Sequence, residues 1–258
     1  MRIAIIGAGK MGSWLARHLA QNHEVGAFDL DPFKARGMPR VKPLGSASEL
    51  AAFSPELLVN AVSIERTAEA FEWAMPHLPQ GCMIADVASV KGGLPQFYAS
   101  CKRRFVSVHP MFGPTFTDME MLKEENAVII RESDRQGAAF FREFFSFMGL
   151  RIFDYTFAEH DQMMAYSLTT PFISSLVFAA CLDKTVVPGA TFARHMRIAR
   201  GLLSEDDSLV CEVLFNPGSI KQIEKMTSKL EYLKHIIRAR DAAAARDMLS
   251  KLRRNLER

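Results

Sequence analysis

Two short segments hold the residues best suited to chemistry. His109 opens His109-Pro110-Met111-Phe112-Gly113-Pro114, and Ser89 and Lys91 lie in Asp86-Val87-Ala88-Ser89-Val90-Lys91-Gly92. Imidazole is the side chain whose free pKa lies nearest neutrality, so His109 suits general-base catalysis. A hydroxyl at Ser89 can orient a substrate hydroxyl or that imidazole. The ammonium of Lys91 can hold a negative charge or fix its own loop. Pro110 and Gly113 are turn-formers, so a histidine hydrogen-bonded within a turn is the plain structural alternative for His109.

A third segment points to a cofactor. Gly7-Ala8-Gly9-Lys10-Met11-Gly12 follows an apolar run and opens a helical pattern, which is the context a GxGxxG motif needs to bind a dinucleotide. Gly7 permits the tight turn, Gly9 lets the backbone approach a pyrophosphate, and Gly12 allows close helix-to-strand packing, while the helix N-terminus offers its amides to the anion. Asp29 ends the second strand candidate, where an acid hydrogen-bonds the adenosine ribose hydroxyls. Ser63, just beyond the third, completes the expected cofactor set. A carboxylate at position 29 repels a 2′-phosphate, so NAD is expected, with NADP left open by Lys34 and Arg36. Asp31 reads as a turn residue before Pro32. No metal site is expected, because Cys82, Cys101, Cys181 and Cys211 lie too far apart for a CxxC pairing.

The elements that must position these groups follow from periodicity. Short apolar runs alternate with helical patterns up to about residue 155, the signature of a parallel sheet flanked by helices. The strand candidates are Arg2 to Ile6, Glu24 to Phe28, Leu57 to Val62, Met83 to Asp86, Phe105 to Val108, Ala127 to Ile130 and Arg151 to Asp154. Met11, Trp14, Leu15 and Leu19 share one helical face, as do Ala68, Phe71, Met75 and Leu78. The stripe Phe140, Phe141, Phe144, Phe145, Met148 reads as core packed on the sheet rather than a ligand box. In such a sheet ligands sit beyond the carboxyl ends of the strands, which places the Ser89 and His109 segments beside the nicotinamide. From Ala158 onward helical patterns take over, broken at Pro171, Pro188-Gly189 and Pro217-Gly218. The expected fold is therefore α/β, an N-terminal doubly wound Rossmann domain over residues 1–156 and an all-α domain over 157–258. The segment Ala158 to Leu182 is apolar around much of its circumference, and Ile223, Met226, Leu230, Leu233 and Ile237 with Leu249, Leu252 and Leu256 form an amphipathic hairpin. A homodimer through the helical domain is the economical way to bury them.

Composition narrows the class. The chain has 258 residues, 48% hydrophobic and 24% charged, with a formal charge of +3. That is enough apolar material for a sizeable core, and it leaves no electrostatic footprint for nucleic acid or an anionic membrane. No stretch approaches the ~20 apolar residues of a membrane span, so a soluble, reduced, cytoplasmic protein is expected.

The combination of Ala88-Ser89-Val90-Lys91, His109 to Pro114, and Glu159-His160-Asp161-Gln162-Met163-Met164-Ala165-Tyr166 resembles the prephenate/arogenate dehydrogenase family. The resemblance runs through nearly the whole chain. It implies oxidative decarboxylation of prephenate to 4-hydroxyphenylpyruvate in tyrosine biosynthesis, with a hydride passing from ring carbon C4 to NAD, or NADP, while the ring carboxylate leaves as carbon dioxide. It implies His109 as acceptor of the C4 hydroxyl proton and Ser89 as its hydrogen-bonding companion. A cationic anchor for the dianionic substrate is expected at Arg200, with Arg197 second, and His160 matches the family's His-Asp pair. Family members commonly carry one or two histidines a little further along, where this chain has Thr169, Thr170, Pro171 and Phe172, and a hydroxyl such as that of Thr169 would replace them. Arogenate or 4-amino-4-deoxyprephenate are the alternative substrates. A β-hydroxy-acid or imine-reducing dehydrogenase, or a non-catalytic NAD(P)-sensing Rossmann protein, are the alternative classes.

Overall fold

A computed structural model describes residues 1–113, 122, 125–183, 187, 189–205 and 207–257. Pro114 of the His109 segment and Pro188 of the second helix-breaking pair lie outside the described residues.

The first part of the chain alternates strands and helices: β1 (Arg2–Ile6), α1 (Lys10–Leu19), β2 (Glu24–Phe28), α2 (Pro32–Ala35), β3 (Val41–Pro43), α3 (Ala47–Phe53), β4 (Leu57–Asn60), α4 (Ile64–Ala74), β5 (Met83–Asp86), α5 (Leu94–Cys101), β6 (Phe105–Pro110), β7 (Asn126–Ile130), α6 (Arg135–Phe147) and β8 (Arg151–Tyr155). Among the described residues the strands form one sheet in the order β3-β2-β1-β4-β5-β6-β7-β8. β1 carries Ile3 and Ile5 into one apolar layer, with Trp14, Leu15, Phe141 and Phe145, and sends Ala4 and Ile6 into another, with Leu50, Phe71 and Tyr98. Both faces are covered by helices, which is why β1, β4 and β5 are near-continuous apolar runs rather than alternating ones. Each such Ile or Phe contributes about 1.5–3 kcal/mol by leaving water.

Three features differ from the sequence expectation. The strand Val41–Pro43 was absent from the candidates because three residues at a sheet edge, with Val41 alone buried, give no periodicity to read. The sheet is also not wholly parallel, since β7 pairs antiparallel with β6 (His109 opposite Val128) and β8 runs parallel to β7. A doubly covered strand is an apolar run in either direction, so composition carries no signal of its sense. On α4 the buried face is Thr67, Phe71 and Ala74, and Ala68 is exposed.

The remaining elements are helical: α7 (Phe157–Ser167), α8 (Thr169–Ala180), α9 (Ala190–Leu202), α10 (Asp207–Leu214), α11 (Ser219–Ala239) and α12 (Ala242–Leu256). The chain divides into two compact units, Met1–Met164 with Asp206–Glu212, and Ala165–Glu205 with Val213–Arg258. The division falls inside α7. Within the second unit Phe178 of α8 lies 5.2 Å from Phe192 of α9, and the α11–α12 turn is set by Arg240 in the left-handed region and by Asp241, whose carboxylate accepts the amides of Ala243 and Ala244. Much of this unit's apolar surface is uncovered in the single chain: Ile220, Leu230, Ile237 and Leu252 are all exposed.

The expectation that no stretch could span a membrane needs correcting. The helical run Phe157–Ala180 has 24 residues and a mean hydropathy of 1.4, long and apolar enough by length and composition to cross one. Counting uninterrupted apolar residues missed it because Ser, Thr and Tyr are scattered through the run. Its first turns carry Glu159, His160 and Asp161, and the last two bond into the α/β unit.

Candidate active site

β1, β2, β4, β5 and β6 are parallel neighbours, with Ile6 beside Phe28 and Asn60, and Asn60 beside Asp86. Their carboxyl ends therefore share one edge, which gathers Gly7, Asp29, Ser63, the Ser89–Lys91 loop and His109.

The glycine turn has the shape a dinucleotide requires. Gly7 holds φ at +90°, and a Cβ there would meet the Ala61 carbonyl carbon at 2.7 Å, while a Cβ at Gly12 would collide with the Gly7 carbonyl oxygen. A Cβ at Gly9 would meet nothing within 4 Å, so that glycine is not demanded by packing and leaves the helix mouth open to a ligand. Gly9 is the N-cap of α1 and no side chain caps the helix, which leaves its first amides for an anion. Ala8, Lys10 and Met11 ride on the same turn. Asp29 ties it to β2, its Oδ2 accepting the Ala8 amide at 2.7 Å and its Oδ1 the Asp31 amide at 2.9 Å. Each carboxylate oxygen keeps acceptor capacity for a ribose hydroxyl. Asp31 caps α2 by accepting the Phe33 amide at 3.0 Å. Ser63 precedes α4, whose first amide, Ile64 N, donates to Glu212 at 2.7 Å. The residues present thus fit a bound dinucleotide along the turn from Gly7 to Gly12.

His109 stands at the end of β6, 5% exposed. Its Nδ1 is 3.1 Å from Nε2 of the fully buried His160, and His160 Nδ1 is 3.1 Å from Asp161 Oδ1. Asp161 is held in turn by the loop after β5, accepting the Lys91 amide at 2.9 Å and the Gly92 amide at 3.1 Å. Phe112, just past His109, packs edge-on against Trp14 of α1 at 5.0 Å, which pins the histidine segment to the helix that opens at the glycine turn. Burial pushes the His109 pKa well below the ordinary value of 6.5, and His160 and Lys91 push it further the same way. Burial lowers His160 as well, against the opposing pull of Asp161. Burial would raise Asp161, but His160 and the two backbone amides hold it below its ordinary value. The site therefore contains two neutral imidazoles and an ionised carboxylate near pH 7.

Of the two roles considered for Lys91, the structure places it in the second. Its Nζ is wholly buried and donates to Asp86 Oδ1 at 2.7 Å and to the Val108 carbonyl at 2.8 Å, so it fixes the loop and does not face a substrate. Ser89 is half-buried on the same loop and makes no hydrogen bond among the described residues. The companion of the His109 ring is His160, where the resemblance implied Ser89. Thr169, offered as a substitute for the missing histidines, is fully buried in the second unit with its hydroxyl 2.8 Å from that of Ser219, so it is committed to packing. Arg197 and Arg200 lie on α9, both exposed. Asp86 and Tyr98 escaped the sequence reading: Tyr98 donates to Asp86 Oδ2 at 2.7 Å, completing a buried network under the loop. An acid closing an otherwise apolar strand was the available signal. A cavity of about 480 Å³, lined by Arg2, Glu56, Gly81, Arg104 and Phe140 among others, opens at the opposite, amino edge of the sheet and holds none of these groups.

Residues 43–147 match the prephenate dehydrogenase nucleotide-binding domain family. The T-protein of Enterobacter agglomerans is 35% identical over 95 residues, 36% of this chain and 24% of that protein, so the chain spans about a quarter of the length of this curated relative. Prephenate dehydrogenase from A. aeolicus, in complex with hydroxyphenyl propionate and NAD+, superposes with a TM-score of 0.83 at 18% identity, covering 100% of this chain and 98% of that one. Synechocystis arogenate dehydrogenase does so with a TM-score of 0.78 at 19% identity, covering 100% and 99%. At those identities the two structures speak to the fold. Sheet order, glycine turn and acid at the end of β2 define the class, a Rossmann nucleotide-binding protein with a helical second unit. Within that class, the match over residues 43–147 is to the nucleotide-binding domain of prephenate dehydrogenase.

Proposed function

We propose that the chain is an NAD-dependent dehydrogenase that converts prephenate to 4-hydroxyphenylpyruvate, with arogenate and 4-amino-4-deoxyprephenate as the alternative substrates. The observation that carries this reading is His109, a neutral imidazole at the carboxyl end of β6 on the same sheet edge as the glycine turn. NAD, when bound along that turn, supplies the hydride acceptor. His109 accepts the C4 hydroxyl proton, and Asp29 favours NAD by meeting the ribose hydroxyls and repelling a 2′-phosphate. Arg200, or Arg197 beside it on α9, supplies the guanidinium that a dicarboxylate calls for. Ser89, next to the His109 edge with its hydroxyl uncommitted, contacts the substrate hydroxyl. The uncovered apolar face of α8, α11 and α12 supports a homodimer in which a second copy buries it, and light scattering at micromolar concentration is expected to give twice the chain mass.

The test is spectrophotometric. Purified protein is offered NAD or NADP with each of the three substrates, and the run is repeated with His109→Asn. Turnover with NAD and prephenate, falling by a factor of ~10² to 10⁴ in the variant, is expected. Unchanged turnover in the variant removes His109 from the mechanism, and faster turnover of arogenate reassigns the substrate.

A further inference from the structure

A histidine accepts a proton only at a ring nitrogen that carries none, so the usefulness of His109 depends on which nitrogen is bare. The contacts behind it settle that choice. Asp161 receives the backbone amides of Lys91 and Gly92, one on each oxygen, and its Oδ1 also faces His160 Nδ1 at 3.1 Å. An ionised carboxylate can only accept, so His160 Nδ1 must carry the hydrogen in that contact. A neutral His160 then has a bare Nε2, which can only accept. That atom faces His109 Nδ1 at 3.1 Å, so the hydrogen between the two rings belongs to His109 Nδ1. The lone pair of His109 is left on Nε2, the nitrogen with no hydrogen-bond partner among the described residues. Lys91, the cation beside this chain, turns its charge toward Asp86 and the Val108 carbonyl and offers the rings no competing donor.

We infer that His160 and Asp161 are positioning residues that hold His109 in its Nδ1–H tautomer, making Nε2 the atom that takes the substrate's hydroxyl proton. The inference deepens the reading of His109 as a general base and rests on it. In the reaction the C4 hydroxyl proton moves to Nε2 while Nδ1–H stays bonded to His160, and the positive charge on His109 is formed in line with the Asp161 carboxylate. With NAD held along the turn from Gly7 to Gly12, its nicotinamide would accept the C4 hydride. The electron pair of the bond to the departing carbon dioxide enters the ring, the oxygen becomes a phenolate, and Nε2 returns the proton to it. One hydride and one carbon dioxide leave the substrate, and His109 ends as it began. The arrangement does for this base what a buried carboxylate does for the histidine of a serine protease triad, which holds the tautomer and steadies the imidazolium.

The test separates tautomer from turnover. The full chain is labelled with 15N-histidine, and among its seven histidines the His109 ring is identified by its loss in His109→Asn. The wild-type ring is expected to show a protonated Nδ1 and a bare Nε2 at pH 7.5. His160→Leu removes the acceptor and is expected to shift the ring toward the opposite tautomer and lower kcat by about 10-fold or more, within the worth of a general base, with KM moving less than about 2-fold. His160→Gln can place its amide oxygen where Nε2 stood, and is expected to restore the wild-type ring pattern and most of kcat. A wild-type His109 found protonated at Nε2, or a ring pattern that ignores His160→Leu, overturns the inference. The wild-type spectrum decides even where a variant fails to fold, and it needs no substrate. Wild-type protein that shows the expected ring but oxidises none of the three substrates counts against the proposed function and leaves the tautomer assignment standing.

Discussion

Lys91 Nζ and Asp86 Oδ1 stand 2.7 Å apart with neither side chain exposed. Lys91 also holds the carbonyl of Val108, the peptide bond immediately before His109, and its backbone amide holds Asp161. One residue thus braces both the base and the acid that supports it. Lys91→Met leaves a buried carboxylate without its cation and a buried carbonyl without its donor. Removing one partner of such a pair costs about 3–5 kcal/mol, which for a protein of this size lowers Tm by roughly 10 °C. Thermal unfolding by circular dichroism checks this, and a change of under about 2 °C would mean that the pair is structurally idle.

Gly9 and Gly12 should separate under substitution. A Cβ at Gly12 would collide with the Gly7 carbonyl oxygen, whereas one at Gly9 would meet nothing within 4 Å. Gly12→Ala is therefore expected to lower both stability and NAD binding. Gly9→Ala is expected to leave Tm unchanged, because only an incoming pyrophosphate would meet the added methyl, and to weaken NAD binding by about 10-fold, equivalent to 1.4 kcal/mol. Fluorescence titration with NAD beside a thermal scan reads both. Equal affinity in Gly9→Ala and wild type would place the dinucleotide elsewhere.

How much of this was legible in the sequence depends on whether the signal was local. The turn from Gly7 to Gly12, Asp29 and the strand ahead of His109 are fixed by neighbours within one βαβ unit, and residue type and spacing announce them. The antiparallel sense of β7 and the three-residue β3 leave no trace in periodicity. His160 was legible only as half of a His-Asp pair, because its partner, His109, is 51 positions away, and nothing in a single sequence links the two. Lys91 stayed ambiguous between two roles for a related reason. A lysine in a loop is usually solvated, and only the fold shows that the strand end it follows closes over it through Asp86 and Val108.

Acid should weaken the fold in a specific window. Burial, then His160 and Lys91, hold the His109 pKa well below 6.5, and burial lowers His160 too. Between 6.5 and those depressed values the unfolded chain binds protons that the folded chain refuses, so stability is full above the ordinary histidine range and falls as pH falls, by up to about 1.4 kcal/mol per pH unit for each ring. Urea unfolding at pH 7.5, 6.5 and 5.5 is expected to show this decline, and His109→Asn should flatten it. The same depressed pKa places the acid limb of kcat/KM below 6.5, since the base is already unprotonated there. An acid limb centred above 6.5 would point to a different titrating group.

Arg197 and Arg200 are both exposed on α9 and three residues apart, so they share a helix face. If a guanidinium anchors the substrate carboxylates, truncation should act on binding. Arg200→Ala is expected to raise KM for prephenate by 10-fold or more, the worth of about 1.4 kcal/mol or more expected of a charge-assisted bond, while the affinity for NAD and the Tm stay put. Arg200→Lys should recover only part of the loss, because an ammonium cannot grip a carboxylate with two parallel bonds. Arg197→Ala serves as the matched control, also exposed and equal in charge removed. Should Arg197→Ala raise KM and Arg200→Ala leave it alone, the anchor moves one turn back along the helix. Should both leave KM unchanged, the dicarboxylate is held by groups other than these two arginines.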